Sequence, residues 1–142
     1  MKKTVPGEGP KGAKIVFIGE APGKTEIKLG RPFVGRAGKF LDKEMIRFGI
    51  DRKKVYITNL VKERVIGPPK KTQIKRWLPV LEKELEKIKP KIIVLLGRTA
   101  TKNVPRSMDV IYVELPHPSA AMRFPKQKEK FRMGLKNLKK LL

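Results

Sequence analysis

His117, the only histidine in the chain, lies between Pro116 and Pro118. Each proline restricts the backbone beside it, so the direction of the imidazole is fixed. A lone histidine is usually structural, but a rigid turn after an apolar run favours a catalytic imidazole. No acid is placed to complete a nucleophilic triad with Ser119, so we interpret that hydroxyl as a phosphate contact.

Asn59 ends the segment "VYITN" and carries the amide best suited to recognising a base. An amide oxygen accepts a hydrogen bond from N3–H of a pyrimidine, while the NH₂ group donates to O4. A cap for the following segment is the other interpretation of the same residue.

The stretch "GEAPGKTEIKLGRPFVGRAGKFL", residues 19–41, is rich in glycine. It matches neither the GxxxxGK[ST] nor the GxGxxG spacing of nucleotide-binding loops. An ordinary strand-to-helix turn explains one or two of its glycines, whereas this number favours a backbone that approaches a ligand closely. Phe33 offers a flat face for a base, or else it fills the core.

These residues need elements to position them. Apolar runs rich in β-formers predict buried strands at 14–18, 55–58, 92–96 and 110–113. Helical periodicity covers 41–48, 74–88 and a final segment from about 125, and we expect Pro79 to kink or split the second helix. The alternation predicts an α/β fold with a parallel sheet covered on both faces, as one domain over residues 1–142.

Ligands of parallel sheets bind beyond the carboxyl ends of the strands. The segments just after the four predicted strands begin at Gly19, Asn59, Gly97 and Pro116. They bring glycine, a carboxylate, an amide and the only imidazole to one rim, so we expect Glu20, Asn59 and His117 to form a site there.

Composition indicates the partner. The formal net charge is +22, which favours a polyanion, and nucleic acid first, although a lysine-rich proteome also produces basic surfaces. The absence of cysteine excludes disulfides and thiolate metal sites, so we expect no metal and no cofactor. No apolar run approaches a membrane span, so we expect a cytoplasmic protein. We also expect a monomer, and the scarcity of Asn and Gln favours a thermophilic source.

The segment "AAMRFPK" places apolar side chains beside a basic one. This composition suits a wedge that enters a base stack between backbone contacts. We therefore expect Met122 and Arg123 to contact DNA, together with Arg98 and Ser119.

Four segments in order, "GEAPGKTEIKLGRPFVGRAGKFL", "VYITNLVK", "IIVLLGRTA" and "HPSAAMR", resemble the family 4 uracil-DNA glycosylases. The resemblance covers about residues 14–123. It implies a three-layer α/β/α fold with a four-stranded parallel sheet, and excision of uracil after the nucleotide is flipped out of DNA in base excision repair.

The resemblance also implies roles for individual residues. Substrate contacts fall on the first motif, on an aromatic and on the amide: Ala21, Pro22, Gly23, Glu26, Phe33 and Asn59. His117 and the backbone N–H of Ala21 stabilise charge on uracil O2, and Glu20 orders the attacking water. The implied catalytic residues are thus Glu20, Asn59 and His117.

The sequence departs from the family pattern in several places. Family 4 enzymes hold an iron–sulfur cluster with four cysteines, and here Glu63 stands where one ligand is expected. Ile27 replaces an acid, Ala21 stands where other branches carry aspartate, and the loop at 65–72 is short. We interpret the chain as a cluster-free branch in which the stiff Gly67-Pro68-Pro69 loop replaces the cross-link.

The sequence leaves three hypotheses open. The first is a glycosylase that excises uracil from DNA. The second is a protein on the same fold that binds uracil or abasic DNA without cutting, and the third is an unrelated basic α/β protein that binds RNA.

Overall fold

A computed structural model describes residues 3–142. The elements in chain order are β1 (Ile15–Gly19), α1 (Lys24–Leu29), α2 (Arg36–Arg47), β2 (Tyr56–Asn59), α3 (Lys71–Ile88), β3 (Ile92–Leu96), α4 (Arg98–Asn103), β4 (Ile111–Leu115), α5 (Pro118–Arg123) and α6 (Pro125–Lys140).

The four strands form one parallel sheet in the order β2-β1-β3-β4. Alternate residues of β1 face opposite sides: Ile15 and Phe17 join a core with α2, α5 and α6, while Val16 and Ile18 join a core with α3 and α4. The predicted three-layer α/β/α fold is therefore confirmed. Each strand boundary lies within two residues of its prediction.

The second predicted helix is not split. α3 runs from Lys71 to Ile88 with Pro79 inside it, so that part of the prediction is wrong. Proline removes one backbone hydrogen bond. The apolar stripe that includes Leu78, Leu81 and Leu85 packs the helix on the sheet on both sides of that position.

Short helices were not predicted. α1 buries no residue, and α4 buries only Ala100, so neither produces an apolar stripe that periodicity can detect.

The outer edge of β2 is covered by the segment that precedes β1. The backbone of Glu8 pairs with Ile57 in both directions at 2.8 Å, and Val5 N–H donates to Lys62 C=O at 2.8 Å. This antiparallel segment protects the edge of the strand that ends at Asn59.

Candidate active site

The carboxyl ends of the strands bring the predicted site residues together. Gly19 pairs with Asn59 in the sheet, and any side chain at Gly19 would collide with both the Phe33 ring and the Asn59 amide oxygen. The rings of Phe33 and His117 lie 5.9 Å apart at an angle of 33°. Phe33 and Asn59 therefore flank a point where only glycine fits, and His117 lies beside the Phe33 ring.

Asn59 is 3% exposed, and its Oδ1 is buried without a hydrogen-bond partner. A buried unpaired acceptor costs about 1–3 kcal/mol, so such an atom needs an explanation. Its position between Gly19 and the Phe33 ring favours a ligand that donates to it. The cap interpretation finds no support, because this oxygen accepts no hydrogen bond.

The backbone of Asn59 is fixed from the other side of the sheet by Lys62. The buried Nζ of Lys62 donates to Asn59 C=O and to Thr58 Oγ1, and it forms an ion pair with Glu84 on α3. Burial lowers the pKa of Lys62, and the carboxylate of Glu84 opposes that effect. The amide thus projects from a strand that is rigidly held.

His117 caps the N-terminus of α5. Its Nδ1 accepts from Ser119 N–H at 3.1 Å and lies 2.8 Å from Ser119 Oγ. Burial lowers the pKa of His117, although the nearby carboxylate of Glu20 opposes the shift. A neutral ring that accepts at Nδ1 carries its proton on Nε2, so His117 is a neutral donor.

The role of Ser119 as a phosphate contact stays a prediction, since its hydroxyl and its backbone N–H both contact Nδ1 of His117.

Glu20 follows β1 and is half-buried. Thr99 on α4 donates to its Oε2 at 2.6 Å, which ties the first loop to the loop after β3. The ladder between β1 and β2 continues past both strands, because Leu60 N–H donates to Gly19 C=O and Val61 N–H to Glu20 C=O. The Glu20 carboxylate is held at the rim with one oxygen engaged.

Glu26 organises the glycine-rich loop. Its Oε1 accepts from Gly23 N–H at 3.0 Å, and its Oε2 accepts from Val34 N–H at 3.0 Å and Gly35 N–H at 2.6 Å. Both carboxylate oxygens are therefore bound to backbone on the two sides of Phe33. This geometry favours positioning of the loop over direct contact with a substrate.

Phe33 adopts a φ of 50°, a left-handed conformation that is rare for a bulky residue. Arg52 donates to Phe33 C=O and to Pro32 C=O, each at 2.7 Å, and to Asp42 at 2.6 Å. Strain of this kind persists only where the surroundings impose it, and it clusters at functional sites. The Phe33 side chain is 6% exposed and packs in the core, so the core interpretation is confirmed, and its role as a face for a base stays a prediction.

The remaining predicted contacts differ in exposure. Ala21 is half-buried, Pro22 is buried and Gly23 is exposed, while Arg98 and Arg123 are exposed at the rim. Met122 is half-buried, whereas Phe124 two residues later is 57% exposed.

Sequence reasoning missed three residues that support the site: Arg52, Lys62 and Thr99. They hold Phe33, Asn59 and Glu20 in place, respectively. No motif in the sequence marks these contacts.

The residues do not fit the iron–sulfur cluster that the resemblance implies, because such clusters need thiolates. Glu63 is 4% exposed, its carboxylate is paired with Arg76 at 3.3 Å, and Gln73 lies 3.4 Å from it. Within residues 3–142 no group of three or more His, Cys, Asp or Glu is arranged to hold a metal ion. In the same range no helix is long and apolar enough to cross a membrane.

The family model described as the Uracil DNA glycosylase superfamily matches residues 6–139, so the chain belongs to this superfamily. Its relatives include type-4 uracil-DNA glycosylases of Sulfurisphaera tokodaii, 49% identical over 71% of this chain, and of Saccharolobus solfataricus, 44% identical over 77%. The chain spans about half the length of these two curated relatives, 47% and 52%.

A solved structure shares the fold. It is a solution structure from Methanosarcina acetivorans, of a protein classed provisionally as a uracil DNA glycosylase. The TM-score is 0.60 at 13% identity, over 96% of this chain and 98% of that one. This structure supports the fold alone, whereas the family model and the type-4 relatives confirm the resemblance drawn from the four sequence segments.

Proposed function

We propose that this protein excises uracil from DNA by hydrolysing the bond between the base and the sugar. The observation that carries the proposal is the buried, unpaired Oδ1 of Asn59 beside the Phe33 ring. A pyrimidine with a protonated N3 supplies the donor that this oxygen lacks.

Recognition starts with the Asn59 amide. Its oxygen accepts from uracil N3–H, and its NH₂ donates to O4. Cytosine presents an unprotonated N3 and an amino group, so both contacts become repulsive or unpaired. The Phe33 ring forms a wall on which the base packs, and Glu26 with Arg52 holds that wall in place.

Catalysis depends on where charge develops. When the C1′–N1 bond breaks, its electron pair moves to the uracil ring and O2 becomes negative while the sugar becomes oxocarbenium-like. Nε2–H of neutral His117 and the backbone N–H of Ala21 donate to O2. One such donor is worth roughly 10²–10³ in rate. Water then adds to C1′, and Glu20 orients that water and accepts its proton.

Binding to DNA is electrostatic at first. The net charge of +22 attracts the phosphate backbone, and Arg98, Arg123, Ser119 and Met122 are the proposed contacts nearest the lesion. We propose that the chain acts as a cytoplasmic monomer, as one domain over residues 1–142. Both duplex and single-stranded DNA are substrates in this proposal.

A second candidate is a protein of the same fold that binds uracil or abasic DNA and cuts weakly or not at all. It is favoured by Ala21, whose methyl group cannot activate water, at the position where the resemblance places aspartate in other branches. The hypothesis of an unrelated basic α/β protein is wrong, because the chain belongs to the superfamily.

The test uses labelled oligonucleotides with one uracil or, as the control, one thymine. After incubation with the protein, alkali cleaves the strand wherever a base has been lost. Strand breaks at uracil alone, lost in His117→Ala, support the proposal. A shifted but intact uracil strand supports the binding protein, and cleavage that ignores the base contradicts both.

A further inference from the structure

His117 of the site also lines a cavity. It measures about 600 Å³ and lies between the loop after β3, the end of β4 and the start of α6. Its lining includes Arg98, Glu114, His117, Phe124, Gln127 and Lys130. We name this cavity the flanking pocket. His117, which lines this pocket, also contacts the Phe33 ring of the site.

Phe124 is a large apolar side chain with no place in the core, since it is 57% exposed. Its backbone is fixed at both ends, because its N–H donates to Ala120 C=O at 2.9 Å and its C=O accepts from Lys128 N–H at 2.9 Å. The junction of α5 and α6 thus fixes the backbone of an aromatic residue at the edge of the flanking pocket. Such a ring is a ready platform for stacking a base.

The charges of the flanking pocket suit a phosphate. Arg98 begins α4 on one side, and Lys130 lies on α6 on the other. The carboxylate of Glu114 also lines the cavity, but Arg106 neutralises it through an ion pair at 2.7 Å. The positive charges of Arg98 and Lys130 are therefore not neutralised by a carboxylate that lines the pocket.

We propose that the flanking pocket binds the nucleotide next to the uracil on the same strand. This inference rests on the proposed function. The base of that nucleotide stacks on Phe124, and its phosphate contacts Arg98 and Lys130. Because every base has a flat face, the pocket accepts any neighbour and strengthens capture without reading sequence.

The experiment measures how much a neighbouring nucleotide improves uracil release and binding. The substrates are deoxyuridine with phosphates on both its 5′ and 3′ oxygens, the same unit extended by one thymidine on the 5′ or the 3′ side, and a long single strand. Both kcat/KM for uracil release and Kd are measured for each. For the wild-type protein, one of the two extensions should improve kcat/KM and affinity roughly 5- to 150-fold. This is the range for stacking one base on an aromatic ring.

Phe124→Ala should lose most of that gain while acting normally on the shortest substrate, and Phe124→Tyr should keep it. Arg98→Ala should reduce the gain as well. The matched control is Met133→Ala, a side chain 55% exposed on α6 in a separate groove with Lys128 and Lys136. It should leave every ratio unchanged.

The inference is overturned if Phe124→Ala keeps the full gain from both extensions, or if it weakens all substrates equally. Failure of the proposed function looks different, since the wild-type protein would then release no uracil even from the long strand. In that case the Kd series still decides, because the loss of the extension's gain in affinity requires no chemistry.

Discussion

Replacing Asn59 with leucine should weaken the proposed excision of uracil while leaving the fold intact or more stable. Leucine has nearly the same shape but no polar atom. Two hydrogen bonds to uracil, at about 1–1.5 kcal/mol each, are lost, which is a loss of about 2–3 kcal/mol. This corresponds to roughly a 30- to 150-fold fall in kcat/KM on a uracil oligonucleotide.

The stability of the free protein should move the other way. Asn59 Oδ1 is buried without a partner, so Asn59→Leu removes an unpaired acceptor that costs about 1–3 kcal/mol. For a chain of this size each kcal/mol raises Tm by about 2–4 °C. The measurement is thermal unfolding followed by circular dichroism, beside single-turnover excision.

Thr58→Val is the matched control, one residue earlier on the same strand. Its hydroxyl bonds to Lys62 and Glu84 on the opposite face of the sheet, so this variant should lose stability and keep kcat/KM. The reasoning is refuted if Asn59→Leu keeps kcat/KM within threefold of the wild type. It is also refuted if Tm falls by more than about 4 °C, since the amide would then be structural.

Three further predictions concern other parts of the site. Burial holds the pKa of His117 below its usual 6.5. The rate of excision and the free energy of unfolding should therefore stay constant from about pH 8 down to pH 6.5, and both should fall only at lower pH. His117→Ala should remove this acid limb together with roughly 10²–10³ of the rate, and an unchanged limb would contradict the role. Arg52→Met should release the strained Phe33 backbone and lower kcat/KM about tenfold or more, and a lower Tm alone would mark Arg52 as merely structural. The purified protein should be colourless, contain no iron and keep its activity in strong chelators; stoichiometric iron would show that our interpretation of Glu63 is wrong.

The fold and the rim of the site could be predicted because each depends on local pattern. Buried parallel strands are continuous apolar runs, and the carboxyl ends of such strands meet at one edge. Glu20, Asn59 and His117 follow or end strands, so their convergence required only the correct assignment of those strands.

The residues that hold the site in place could not be predicted, because their contacts leave no local pattern in the sequence. Arg52 donates to carbonyl groups of residues 32 and 33, and Thr99 bonds to Glu20 from another element. Any backbone carbonyl can serve as such an acceptor, so the sequence carries no mark of the pairing. The sequence of a short helix and its end does not show which side chains are exposed. For this reason the sequence predicts Met122 as a wedge residue and does not predict Phe124.

The site is divided between two halves of the sheet. Glu20, Phe33 and Asn59 belong to the half that ends with β2, whereas Thr99 and His117 belong to β3, β4 and their loops, and within the sheet the two halves join through the pairing of β1 with β3. That pairing is between strands distant along the chain, and non-local pairing is the slow part of folding. Helices α2, α3 and α6 form from local contacts and can precede it. In a refolding experiment the far-ultraviolet circular dichroism signal should recover first. The proposed uracil site should assemble only when β1 pairs with β3, so that excision activity reports the last step of folding.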